Sequence, residues 1–122
     1  METIKRHHIS LKNALSGLKY AFTSQPNFKI HFTLSALAIL VGFYLQVSQS
    51  GMAILVLTIV FGLGCEMINT SLESMTDLIT KEWRQNAKIA KDVSAGMMLL
   101  SAIGAILVAL LILGPKIGER FL

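Results

Sequence analysis

One cysteine, Cys65, occurs in the 122-residue chain. That excludes an intrachain disulfide and any zinc site built on several cysteines. Within an apolar segment it reads as a small buried side chain. Charge is also scarce, at 15% of residues against roughly a quarter in a soluble domain. The shortage sits in three apolar blocks, so one all-α integral membrane domain over residues 1–122 is expected rather than a soluble one. Only seven residues are acidic and the net charge is +4. No basic-aromatic stripe or nucleic-acid motif accompanies that excess, so it reads as membrane topology, and a nucleic-acid partner is not expected. Also missing are a GxxxxGK[ST] phosphate loop, a protein-kinase catalytic loop and a Ser-His-Asp set. There is no internal repeat, low-complexity segment or long linker. Residues 1–31 lack the apolar centre and small-residue cleavage site of a removable signal.

What is present falls into four segments. Lys5, Arg6, His7 and His8 lie in a basic, exposed tail; adjacent histidines point to different helix faces and have no ligand partner at metal spacing. Ser10 is a plausible N-cap for an amphipathic helix over about 10–23, with Leu11, Ala14, Leu15, Leu18, Ala21 and Phe22 on one face. It is too short and polar to span and suits a membrane surface. Ser24-Gln25-Pro26-Asn27 breaks it. Spans follow at about 28–47, 52–72 and 95–113. Lys29 and His31 stand at headgroup level at the start of the first, and the uncharged segment 46–51 turns into the second. The polar segment 78–90 reads as a loop with Trp83 as an interfacial anchor. Lys91-Asp92 opens the last helix, Ser94-Ala95-Gly96 gives it small packing residues, and Gly114-Pro115 stops it. All of the eleven basic residues except Lys116 and Arg120 lie before or at the start of the first span or between the second and third. The positive-inside rule therefore puts the N-terminus and the 78–91 loop in the cytoplasm.

The second block runs without a break into Cys65–Asp77. Glu66, Asn69, Glu73 and Asp77 follow one another at helical spacing and share one face. A wet helix end accounts for Asp77 and Glu73. It accounts poorly for Glu66 and Asn69, which sit ~21 Å or more from Met52 along a helix crossing a core of ~30 Å. Ionisable groups at such depth are costly and mark function.

Carboxylates near an interface bind hard cations through oxygen, and one in a partly apolar setting is suited to general-base work. Lys91 adds a cation for phosphate and Asp92 a further acceptor, which are parts that phosphoryl transfer requires. Spacing alone leaves open a kinase and a proton or cation pathway. The Lys91-Asp92 pair on a separate segment discriminates between them, since a pathway has no use for it.

Glu66-Met67-Ile68-Asn69-Thr70-Ser71-Leu72-Glu73 with Asp77, then Ala90-Lys91-Asp92, and Asn27-Phe28-Lys29-Ile30-His31 resemble the signatures of the small prokaryotic diacylglycerol kinase/undecaprenol kinase family over about residues 10–117. The resemblance implies a homotrimer of protomers, each with a surface helix and three transmembrane helices. It implies an integral plasma-membrane enzyme with a cytoplasmic active site, transferring the γ-phosphate of Mg²⁺-bound ATP to a membrane lipid alcohol. On it, Glu66 is the catalytic base facing the lipid substrate, Asn69 orients that site, and Glu73 holds metal and nucleotide. Asp77, Lys91 and Asp92 bind nucleotide, with Glu82, Trp83, Arg84, Lys19 and Arg6 as further contacts. Gln25 stands where the family commonly has a second metal-binding glutamate; its amide oxygen ligates magnesium without bringing charge, so an inactive family member is a further alternative. The Asn-Phe-Lys-Ile-His start and Gly-Pro-Lys ending are closer to the undecaprenol kinase branch.

Overall fold

The computed structural model describes the backbone of residues 2–121 and the side chains of residues 9–121. It contains four helices, α1 Glu2–Ser24, α2 Pro26–Tyr44, α3 Gln49–Ile79 and α4 Gln85–Phe121, and no strand among the described residues. α3 packs most extensively on α4, then on α2, and α1 rests against α2. α2, α3 and α4 are each long and apolar enough to cross a membrane. Their 19, 31 and 37 residues correspond to about 28, 46 and 55 Å at 1.5 Å per residue. α2 therefore just matches a hydrocarbon core of about 30 Å. α3 and α4 overshoot it.

The boundary between α1 and α2 follows from one dipeptide. Pro26 occupies the first turn of α2, where its missing N–H is not needed. It also forces Gln25 into an extended backbone, φ −105° and ψ 107°. Phe22 of α1 packs edge-on against Phe28 and Phe32 of α2, with centroids 6.3 and 5.2 Å apart. These edge-to-face pairs fix the fold-back.

α2 ends in a Schellman turn. The Val47 amide donates to Gly42 O and the Gln46 amide to Phe43 O, with Gln46 left-handed at φ 53°. Ser48 then caps α3 by accepting from the Gly51 amide at 3.2 Å. Buried Gly42 lets α3 come close, since a Cβ there would meet Met52 Sδ at 2.7 Å. At this same end Arg120 lies over the Tyr44 ring, 4.4 Å from its centroid, and Lys116 pairs with Glu119 at 2.7 Å. The two basic residues that stand against the charge asymmetry thus have local partners.

Three expected boundaries move. Ser10 lies inside α1, which already begins at Glu2, because residues 2–9 contain no glycine or proline to stop a helix. α4 opens at Gln85 rather than at Lys91-Asp92. The segment 85–90 is polar but also free of helix breakers, and only residues 80–84 remain as a connection. Pro115 does not end α4, which continues to Phe121. The residue before it is Gly114, which has no Cβ to collide with the proline ring.

Little of the apolar surface is used within the chain. No residue in the most apolar stretch of α4 is buried, and Leu57, Leu100 and Leu111 are exposed. Cys65 is buried as expected.

Candidate active site

α3 delivers Glu66, Asn69, Glu73 and Asp77 in order from the packed interior to the end of the bundle. Glu66 is 2% exposed, and its Oε2 atom has no hydrogen-bond partner among the described residues. A buried carboxylate oxygen left unpaired is costly and calls for a donor supplied from elsewhere. His31 of α2 and Glu73 act on it electrostatically. His31 therefore belongs to the surroundings of Glu66 as well as to the start of a span. One turn along, the Thr70 hydroxyl is also buried and unpaired.

Asn69 is held from both sides. Its Nδ2 donates to Glu73 Oε1 at 3.3 Å, and its Oδ1 accepts from Ser94 Oγ of α4 at 2.6 Å. Ser94 is 2% exposed. The sequence presents it only as a small packing residue, because nothing in the chain marks which residue of α4 faces Asn69.

Beyond Glu73, the ends of α3 and α4 and the 80–84 connection enclose a cleft of about 360 Å³. Asp77, Glu82, Trp83, Arg84, Lys91 and Asp92, six of the expected nucleotide contacts, all line it. The connection is shaped by Thr80, whose amide donates to Thr76 O and whose Oγ1 accepts from the Glu82 amide at 3.1 Å. That turn sets Glu82, Trp83 and Arg84 on the rim. Lys91 Nζ pairs with Asp77 Oδ1 at 2.5 Å, Arg84 with Glu82 at 3.0 Å, and Lys88 with Asp92. Lys88 and Lys81 also line the cleft and were not expected there. Lys88 stands one turn before Asp92, a spacing that becomes legible once α4 starts at Gln85.

Of the remaining expected metal and nucleotide residues, the three with described side chains lie outside this cleft. Lys19 is exposed on α1. The Arg6 side chain is outside the described residues. Glu73 is half-buried on α3 between the cleft and Glu66. Gln25 makes no capping bond with its side chain. Among the described residues no three His, Cys, Asp or Glu side chains gather as a ready-made metal cage. Glu73 offers one carboxylate, so a hard cation held there would draw its other ligands from phosphate and water, as Mg²⁺ does.

Glu66 is thus a buried carboxylate, with a mixed-charge cleft further along the same helix. The family model for prokaryotic diacylglycerol kinase matches residues 12–113, and the chain belongs to that family. It is 37% identical over 110 residues to a diacylglycerol kinase of Synechocystis sp., covering 89% of this chain and 63% of that protein. It is 30% identical over 114 residues to an undecaprenol kinase of Bacillus subtilis, covering 93% of each.

Proposed function

We propose that the chain is an ATP-dependent lipid kinase of the plasma membrane, acting on the hydroxyl of a membrane lipid alcohol, with undecaprenol favoured over diacylglycerol. The observation that carries this reading is the buried, unpaired Glu66 carboxylate oxygen. It stands about 16 Å along the α3 axis from Asp77 at the charged cleft. The substrate hydroxyl supplies the missing donor. Its proton passes to Glu66 as its oxygen attacks the γ-phosphorus, the bond from that phosphorus to the β,γ-bridging oxygen breaks, and ADP leaves with the electron pair.

Trp83 and Arg84 offer a stacking face and a cation at the rim for the nucleoside. Lys91 and Lys88 turn from Asp77 and Asp92 to the phosphates, an exchange favoured because exposed ion pairs are worth only about 0–1 kcal/mol. Glu73, with Gln25 as the second expected ligand, would hold Mg²⁺, which would supply positive charge against the phosphates.

The cytoplasm-facing orientation rests on the distribution of Lys and Arg. α1 exposes Leu11, Leu15 and Leu18, which suits a helix lying in the membrane surface. The apolar faces left open on α3 and α4 suit packing of three copies within the bilayer. Preference for undecaprenol rests on the Asn27-Phe28-Lys29-Ile30-His31 start of the first span and the Gly114-Pro115-Lys116 segment after the last.

The test is phosphate transfer from labelled ATP by purified protein in mixed micelles. Undecaprenol and diacylglycerol are offered separately, with Mg²⁺ or with chelator. Magnesium-dependent label, greater in undecaprenol, is the expected result. No label in either lipid from a folded protein identifies an inactive member of the family.

A further inference from the structure

Serine and threonine hydroxyls in apolar helices have a default partner. Thr23, Ser24, Thr33, Thr58 and Thr76 each donate to the carbonyl four residues earlier. Ser94 does not follow them. Its hydroxyl crosses from α4 to α3 and donates to Asn69 Oδ1 at 2.6 Å.

The direction of that bond follows from what lies beyond it. Asn69 turns its Nδ2 towards Glu73 Oε1, an accepting carboxylate oxygen. Its Oδ1 then faces α4 and requires a donor. Ser94 provides it from a position 2% exposed, where water is a poor substitute. We infer that Ser94 is a positioning residue, which sets the Asn69 amide and through it the Glu73 carboxylate for a magnesium–nucleotide ligand. This rests on the kinase reading for the identity of that ligand. The chemistry is that of a partner behind a metal ligand, where loss typically lowers metal affinity or activity by about 10–100-fold.

Ser94→Ala removes the hydroxyl and almost no volume. It leaves Asn69 Oδ1 unpaired and the amide able to rotate off Glu73. Ser94→Thr keeps the donor. Trp83, the chain's single tryptophan, lines the cleft and gives a binding signal that does not require turnover.

The experiment titrates Mg²⁺ at fixed ADP into the full-length protein in micelles, reading Trp83 fluorescence, and measures the thermal midpoint alongside. Wild type, Ser94→Ala, Ser94→Thr, Asn69→Ala and the Ser94→Ala/Asn69→Ala double variant are compared. The expected result is a half-saturating Mg²⁺ concentration raised about tenfold in Ser94→Ala, with a thermal midpoint near that of wild type and wild-type behaviour in Ser94→Thr. Adding Ser94→Ala to Asn69→Ala should cause no further loss, because the hydroxyl acts through the amide.

Wild-type Mg²⁺ dependence in Ser94→Ala overturns the inference, whether or not its thermal midpoint falls. So does a full additional loss in the double variant, or failure of Ser94→Thr to restore binding in a protein that unfolds at the wild-type temperature. Wild-type protein that binds Mg²⁺–ADP but labels no lipid alcohol overturns the kinase reading alone. Wild-type protein that shows no Mg²⁺-dependent nucleotide response overturns both.

Discussion

Lys91 Nζ of α4 lies 2.5 Å from Asp77 Oδ1 of α3, joining the two helices at the end where the 80–84 connection closes the cleft. Both side chains are about half exposed, so the pair adds at most about 1 kcal/mol to stability. Its placement in the cleft matters more. Lys91→Ala should leave the thermal midpoint within about 5 °C of wild type and raise the KM for ATP at least about tenfold, the effect of losing one charge-assisted contact to phosphate. Steady-state kinetics and a thermal melt on the same preparation check it; a large drop in midpoint with unchanged KM would make the pair a structural clasp instead.

Trp83 is 75% exposed at the cleft rim, a wasteful position for an indole unless membrane headgroups or a ligand cover it. Stacking on a base is worth about 1–3 kcal/mol. Trp83→Ala should therefore raise the KM for ATP by roughly five- to a hundredfold, with kcat little changed, while Trp83→Phe keeps most of the affinity. A variant with normal KM and weakened membrane association would assign the indole to the bilayer.

The helical architecture and most of the cleft were legible in the sequence because their signals are local. The 66, 69, 73, 77 spacing puts four polar side chains on one face regardless of tertiary context. Pro26 and the charge-free blocks are equally direct. The failures have a common cause. Polar 85–90 reads as a loop because charge and loop coincide so often, although nothing in it breaks a helix, and the place of Lys88 on α4 is hidden with it. Pro115 reads as a stop, although Gly114 before it has no Cβ to collide with the proline ring. Ser94 and the link between His31 and Glu66 depend on how separate helices rotate against each other, which no single-helix periodicity encodes.

Gln46 is the one non-glycine residue with positive φ among those described, at 53°, and it holds the Schellman turn. A left-handed residue with a Cβ costs about 1–2 kcal/mol, partly balanced by the greater unfolded-state freedom of glycine. Gln46→Gly should raise stability by about 0.5–1 kcal/mol, read as a higher unfolding midpoint in micelles, with lipid kinase activity unchanged. A lower midpoint would mean that the Gln46 side chain contributes more than its backbone strain removes.

Gln25 follows the same logic of chemistry at a fixed backbone position. It is extended by the proline after it and does not use its side chain as a cap, so a change of head group leaves the helix start intact. Gln25→Glu adds a charge to the expected magnesium ligand set. The half-saturating Mg²⁺ concentration for transfer should fall severalfold at constant ATP. An unchanged requirement would remove Gln25 from the metal site and leave Glu73 as its protein ligand.

Glu66 gives the sharpest separation of binding from chemistry. Its Oε2 is buried and unpaired among the described residues, and the charged cleft proposed for the nucleotide begins about three helical turns away at Asp77. Glu66→Gln keeps the volume and removes the proton acceptor. General-base catalysis is worth about 10²–10⁴-fold, so kcat should fall by that factor or more. Mg²⁺–ADP binding, read from Trp83, should stay within about twofold of wild type, because no nucleotide contact has been touched. Assembly and thermal midpoint should also hold, since the amide fills the same space and removes a buried charge. Turnover close to wild type would take the base role away from Glu66. Loss of nucleotide binding together with turnover would show that Glu66 belongs to the metal–phosphate site, and the hydroxyl proton would then need another acceptor.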